Sequence, residues 1–229
     1  MIRYTTSPKK IVVQHLINMP KKSLIALLSL AVSVSATWFH LQPEPTVSLA
    51  EDEKRLLDLQ THWYQGNVVT LVRHAERCDR SDNLCLDGAT GITVPGKAEA
   101  IAVGQKFDHL PNRTTVVYNS PVKRTHQTAN LMFGEKATSQ DWLREGCKEN
   151  LYEDIFKYKE EGKNLILVTH STCIDKLGEA QNNDLVAMDI HDMSTYNSSI
   201  FLAVSKEEKN AYTLGYLFAD EWDKAFNKI

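Results

Sequence analysis

An arginine and a histidine stand side by side at Arg73-His74, with Glu76 and Arg77 just behind them. A further arginine closes the run Asn119-Ser120-Pro121-Val122-Lys123-Arg124, and a second histidine sits in Thr169-His170-Ser171. Guanidinium forks match the oxygens of a phosphate, which accepts bidentate, charge-assisted hydrogen bonds. A neutral imidazole can attack phosphorus, because its pKa lies near neutrality and it needs no separate base. Such chemistry asks for one nucleophilic histidine, several cations on the non-bridging oxygens, and one acid for the leaving group. Taken singly, Arg73 and Arg124 would be surface arginines and His170 a satisfied core histidine. Convergence is what would turn them into a site.

Each of these segments follows a stretch that reads as a buried strand. Residues 67–72 are β-branched and almost continuously apolar, and residues 115–118 and 164–169 have the same character. Pro95 can open a helix in which Ala98, Ile101, Ala102 and Phe107 recur at helical spacing. Pro121 starts a second helix to about residue 132, with Ala129 and Met132 as packing residues. A third helix is expected over residues 150–161, ending at Gly162. Residues 199–204 and 212–218 look strand-like, with a helix near the C-terminus. The order predicts an α/β fold, a three-layer sandwich with a mainly parallel central sheet. In such folds ligands sit beyond the carboxyl ends of the strands, where the three segments lie.

Arg73-His74-Ala75-Glu76 resembles the Arg-His-Gly signature of the histidine phosphatase superfamily. Residues 120–129, Ser-Pro-Val-Lys-Arg-Thr-His-Gln-Thr-Ala, resemble its Ser-Pro-x-x-Arg-x-x-Gln-Thr-Ala segment, and Val168-Thr169-His170 its second-histidine strand. The likeness covers roughly residues 68–177. It implies a phosphoric monoester hydrolase with a histidine phosphatase-like fold and no cofactor or metal. His74 would be phosphorylated, while Arg73, Arg124 and His170 hold the phosphoryl group. Arg77 matches an extra arginine of the acid-phosphatase branch. The run 73–81, with Cys85 and residues 90–94 behind it, is similar to exported members that act on a phosphorylated sugar of the lipopolysaccharide core. Three departures stand out. Ala75 replaces glycine, Asp79 stands where the acid-phosphatase branch has proline, and Ser171 replaces that branch's proton donor. The resemblance then moves the acid to the loop after the second helix, with Glu145 first and Glu149 second, while Glu76 is a third candidate because it lies next to His74.

The remaining sequence bears on location and on competing functions. Lys21 and Lys22 precede an apolar run from Leu24 to Val34, then Ser35 and Ala36, the pattern of a signal peptide or N-terminal anchor over residues 1–36. A linker is expected over residues 37–50 and the folded domain over 51–229. Location would then be the periplasm, in contact with the inner membrane only if the segment is retained. The chain is acidic overall, at −3, and Arg3, Lys9, Lys10, Lys21 and Lys22 all precede the first acidic residue. Nucleic acid, which needs a basic face, is not an expected partner. In an exported chain, Cys78, Cys85, Cys147 and Cys173 favour two disulfides. Three pairings are open, and the short loop favours Cys78 with Cys85, leaving Cys147 for Cys173. Two other readings stand beside the enzyme. One is a weak or inactive phosphosugar-binding pseudo-enzyme, and the other is a zinc module using His74, Cys78, His170 and Cys173.

Overall fold

The computed structural model describes residues 46–111, 113–144, 147–179 and 190–227. The expected signal or anchor therefore lies outside the described residues, as does most of the expected linker. The elements run α1 (Glu53–Gln65), β1 (Val68–Arg73), α2 (Val94–Lys106), β2 (Thr115–Asn119), α3 (Lys123–Phe133) and β3 (Ala137–Ser139), followed by α4 (Cys147–Tyr158), β4 (Asn164–Thr169), α5 (Ser171–Glu179), β5 (Ser199–Ser205), β6 (Asn210–Leu217) and α6 (Trp222–Phe226).

These strands form one six-stranded sheet in the order β3-β2-β4-β1-β5-β6. Pairs β2–β3, β2–β4 and β1–β4 are parallel, whereas β5 runs antiparallel to both β1 and β6. Strand β4 lies between β1 and β2, so the three segments singled out above emerge side by side. The register aligns Arg73 with Thr169 and Asn119 with Val168. All six residues of β1 and all six of β4 are buried, as expected for strands covered on both faces.

Side chains alternate between two cores. Val68, Val72, Ile166, Val168, Phe201 and Trp222 belong to one, which also takes in α1, α2 and α3. Val69, Leu71, Leu165, Leu167, Leu151, Ile155 and Ile174 belong to the other, under α4 and α5. The predicted three-layer sandwich is the observed architecture.

Two expectations need correction. The stretch 46–50 is not linker, because Leu49 and Ala50 are buried, Leu49 N–H donates to Tyr216 O and Tyr216 N–H to Val47 O. It behaves as an added edge beside β6, and its backbone bonds are what spacing in the sequence could not show. In α2 the buried face is Gly96, Ala100 and Val103 rather than Ala98 and Ala102, which are exposed. Helices α2 and α3 come into close contact at Gly104. A methyl added at Gly104 would lie 2.6 Å from Met132 Cα and 2.6 Å from its carbonyl oxygen. Gly104→Ala should therefore push α3 outward and cost about 1–3 kcal/mol, read as a lower urea midpoint at constant slope.

Candidate active site

At the three strand ends, Arg124 reaches from the first turn of α3 to both histidines. Its Nε donates to His74 Nε2 at 3.1 Å, and its Nη2 to His170 Nδ1 at 3.1 Å. Arginine has only donors, so both of these imidazole nitrogens accept. The protons must then sit on the opposite nitrogens. His74 Nδ1–H donates to Ala75 O at 2.8 Å, and His170 Nε2–H to Ser120 Oγ at 3.1 Å. The two rings lie edge to face with centroids 5.4 Å apart. His74 is only 3% exposed and His170 8%.

The second motif holds this arrangement through its less conspicuous residues. Thr128 Oγ1 accepts from Ala75 N–H at 3.0 Å and donates to Arg124 O at 2.7 Å. Gln127 Oε1 accepts from Ile92 N–H at 3.0 Å, tying down the long loop after β1. Thr125 Oγ1 donates to Ser120 O at 2.8 Å. Ala75 itself is fully buried, and among the described residues the non-glycine positions with positive φ are Asn197 and Lys209. Alanine in place of the signature glycine is thus free of left-handed strain.

Arg73 approaches from beneath. It is 4% exposed, and its guanidinium lies 4.0 Å from the centroid of the Tyr196 ring. Its Nη1 donates to Asp192 O and Thr195 Oγ1, while its buried Nε has no partner among the described residues. Arg77 is ion-paired with Asp79, Nε to Oδ1 at 2.7 Å. Burial pushes the Arg124 guanidinium below its ordinary value, and Arg77 and Arg80 add to the shift against Asp79 and Tyr196. Helices α3 and α5 both begin at this edge, and their positive ends favour an anion. Arg80, Tyr196, Ser120 and the 192–195 turn complete the surroundings. Ser120 and Arg80 stood inside runs quoted from the sequence without being given a role, and Tyr196 and the 192–195 turn were not singled out.

The carboxylate candidates separate. Glu145 lies outside the described residues. Glu149 is exposed on the first turn of α4. Glu76 turns to Thr93 Oγ1 at 2.5 Å and to Asn83 Nδ2 at 3.0 Å. Partial burial pushes it up, but hydrogen bonds from Thr93, Asn83 and Ser81 outweigh this and leave it below the usual range.

The cysteines pair as Cys78–Cys85 and Cys147–Cys173, with Cα atoms 5.3 and 5.5 Å apart. Among the described residues no free cysteine remains. This corrects the zinc module, because sulfurs bonded to each other cannot serve as thiolate ligands. Two larger cavities, of about 590 and 550 Å³, are lined at Asn67 and Lys159 and at Thr114 and Thr115, the opposite ends of the strands.

The sequence pattern of the histidine phosphatase superfamily (branch 1) matches residues 69–158. With the relatives described next, this places the chain in that superfamily: it belongs to the histidine phosphatases and is a phosphoric monoester hydrolase. It is 35% identical over 144 residues to the lipopolysaccharide core heptose(II)-phosphate phosphatase of Salmonella schwarzengrund, covering 60% of this chain and 71% of that one. The Salmonella typhimurium protein of the same name is 39% identical over 113 residues, 48% of this chain and 55% of that one, so this alignment spans about half of the relative. Two solved structures share the fold. They are the protein histidine phosphatase SixA complexed with tungstate (TM-score 0.51, 15% identity, 66% of this chain and 97% of that one) and phosphoserine phosphatase from Entamoeba histolytica (TM-score 0.51, 15% identity, 67% and 98%).

Burial pushes His74 well below its ordinary pKa. The bond to Ala75 O opposes this, while His170, Arg124 and Arg73 add to it. The unfolded chain protonates this ring below about pH 6.5, and the folded chain does not. The stability attached to neutral His74 is therefore present above that pH and lost as pH falls, by up to about 1.4 kcal/mol per pH unit. Urea midpoints measured from about pH 7.5 down to about pH 5 should fall less steeply for His74→Ala than for the wild type.

Proposed function

We propose that the chain is an exported phosphatase that hydrolyses a phosphomonoester through a phosphohistidine on His74, with a phosphorylated sugar of the lipopolysaccharide core as substrate. The observation that carries the mechanism is the forked Arg124, which holds both histidines neutral with His74 Nε2 as an acceptor. As a phosphate enters, Arg124 exchanges its two imidazole partners for phosphoryl oxygens, which are stronger, charged acceptors. The freed Nε2 lone pair then attacks phosphorus in line, forming the N–P bond as the ester P–O bond breaks. Arg73, Arg77 and His170 spread the charge of the transferring group. Glu145, or Glu149 beside it, gives the departing oxygen its proton. Water then cleaves the N–P bond, releasing phosphate and restoring His74.

Export rests on the N-terminal pattern, on the two disulfides and on the substrate named for the relatives. Among the described residues no helix is long and apolar enough to cross a membrane. A C-terminal reporter active only outside the cytoplasm should report activity, with a mature chain starting near Thr37 if the signal is cleaved. Activity of a cytoplasm-restricted reporter instead would contradict export.

Turnover of an aryl phosphate by the wild type should leave acid-labile phosphate on the protein. His74→Ala should remove that label and lower kcat by several orders of magnitude without unfolding the domain. Arg124→Ala should cost about 1.5–3 kcal/mol per lost charged hydrogen bond, roughly 10–150-fold in kcat/KM. A wild type that binds phosphate but never forms the label would favour the phosphosugar-binding pseudo-enzyme.

A further inference from the structure

A cleft of about 250 Å³ lies beside the phosphate site, lined by Glu76, Pro95, Glu99, Met193, Ser194 and Tyr196 among others. Its connection to the reaction centre is Tyr196. That ring packs on the Arg73 guanidinium and sits 5.7 Å from the His74 ring, centroid to centroid, while also walling the cleft. Glu76, two residues past His74, forms part of the same wall. Tyr196 and Glu76 thus join the cleft to the surroundings of His74.

The lining is chemically specific. Its polar groups are two carboxylates and two hydroxyls, with one aromatic ring and a methionine beside them. Carboxylates accept strongly from hydroxyl groups, and an aromatic wall suits the apolar face of a sugar ring. Paired carboxylates also repel a second phosphate, so the fit is to a neutral, hydroxylated group. At roughly 30 Å³ per water, the cleft holds the equivalent of about eight waters, enough for one monosaccharide and too little for a chain.

Glu99 is placed with unusual care. Its Oε2 accepts from Asn197 Nδ2 at 2.6 Å. Asn197 is fully buried and adopts φ +58°, a left-handed conformation in which asparagine is among the few tolerated side chains. The backbone around it is locked into the sheet, since Arg73 N–H donates to Ser198 O at 3.0 Å. A strained, buried side chain thus spends its amide on a carboxylate that faces the cleft. Strain of this kind persists where the surroundings over-determine it, and it gathers at functional positions. Burial also pushes Glu99 above its ordinary pKa, with Asn197 opposing and Asp220 and Glu76 adding to the rise.

We infer that this cleft receives the polyol leaving group of the substrate and that Glu99, positioned by Asn197, is its specificity-determining residue. The inference rests on the phosphatase reading above and adds where the sugar of that substrate would sit and which side chain would select it.

Two measurements keep the inference separate from the reading it rests on. The first compares kcat/KM for a hexose monophosphate with that for para-nitrophenyl phosphate. Glu99→Ala should lower the ratio about tenfold, chiefly through KM, and Ser194→Ala should lower it in the same direction. A loss confined to kcat would mark Glu99 as a proton donor instead, and an unchanged ratio would overturn the assignment. The second needs no turnover. In the His74→Ala background, calorimetry compares the hexose monophosphate with inorganic phosphate. Preference for the sugar ester should shrink about tenfold in the His74→Ala, Glu99→Ala double variant, while Glu99→Gln, which keeps an acceptor for Asn197, should retain part of it. If Glu99 makes no difference to that preference, the cleft is not a sugar site. If the preference depends on Glu99 but the wild type forms no phosphohistidine, the cleft stands and the catalytic reading falls.

Discussion

Arg124 donates in two directions at once, and because it can only donate, it dictates the protonation of both histidines it touches. Each ring is left with one N–H that must find an acceptor away from the pocket. Ala75 O and Ser120 Oγ supply those acceptors, and the rest of the local structure follows from holding these two atoms still. Thr128 fixes Ala75 through its amide, and Thr125 fixes Ser120 through its carbonyl. Ser120 N–H bonds to Val168 O and His74 N–H to Thr169 O, so the β2–β4–β1 register sets the spacing of the rings. A slip of one residue between β1 and β4 would turn every side chain of the slipped strand to the other face and remove His74 from Arg124.

Crowding cations around neutral rings is unfavourable without an anion, and the fold offsets the cost in different ways. Arg73, the most buried, is stacked on Tyr196 and bonded to the 192–195 turn. Arg77 keeps a carboxylate partner in Asp79, the residue that departs from the acid-phosphatase pattern. Among the described residues the Arg124 side chain is bonded to two neutral imidazoles, and burial plus Arg77 and Arg80 push against its charge. A half-buried cation with neutral partners is one whose hydrogen bonds are readily traded for charged oxygens. The phosphate supplies what the resting site lacks.

What could be read from sequence was local. Strands β1, β2 and β4 announce themselves as apolar runs, and their ends carry the motif residues within a few positions. The two disulfide pairs also followed a local argument, since a loop closing seven residues along favours Cys78 with Cys85. What could not be read depends on contacts between distant segments. Tyr196 and Asn197 come from a turn more than a hundred residues beyond His74, with no flanking pattern to mark them. The buried face of α2 was misread because alanines stand on both sides of the helix, Ala98 and Ala102 exposed and Ala100 buried, so apolar spacing alone does not choose between them. Residues 46–50 looked like the tail of a linker because their partners are backbone atoms beside β6. The acid stayed ambiguous for a different reason. Several glutamates cluster after Leu143, and nothing in their spacing singles out one.

The two halves of the task are carried by different parts of the chain. In the proposed reaction, phosphate capture falls to short motifs at three adjacent strand ends, where the geometry is imposed by the sheet and tolerates little change. The cleft beside it is built from the start of α2, the residue after Ala75 and the turn before β5, pieces joined by side-chain contacts rather than by strand register. Tyr196 is where they meet, since its ring carries Arg73 and also lines the cleft. Changes at Glu99, Met193 or Ser194 alter the wall that meets the leaving group without moving the Arg124 fork. Changes at Tyr196 reach both, because the ring that lines the cleft also supports the most buried phosphate cation. Under the proposed reading, specificity can therefore drift at Glu99 while the chemistry stays fixed, whereas Tyr196 and the 192–195 turn, which also hold Arg73, belong to both.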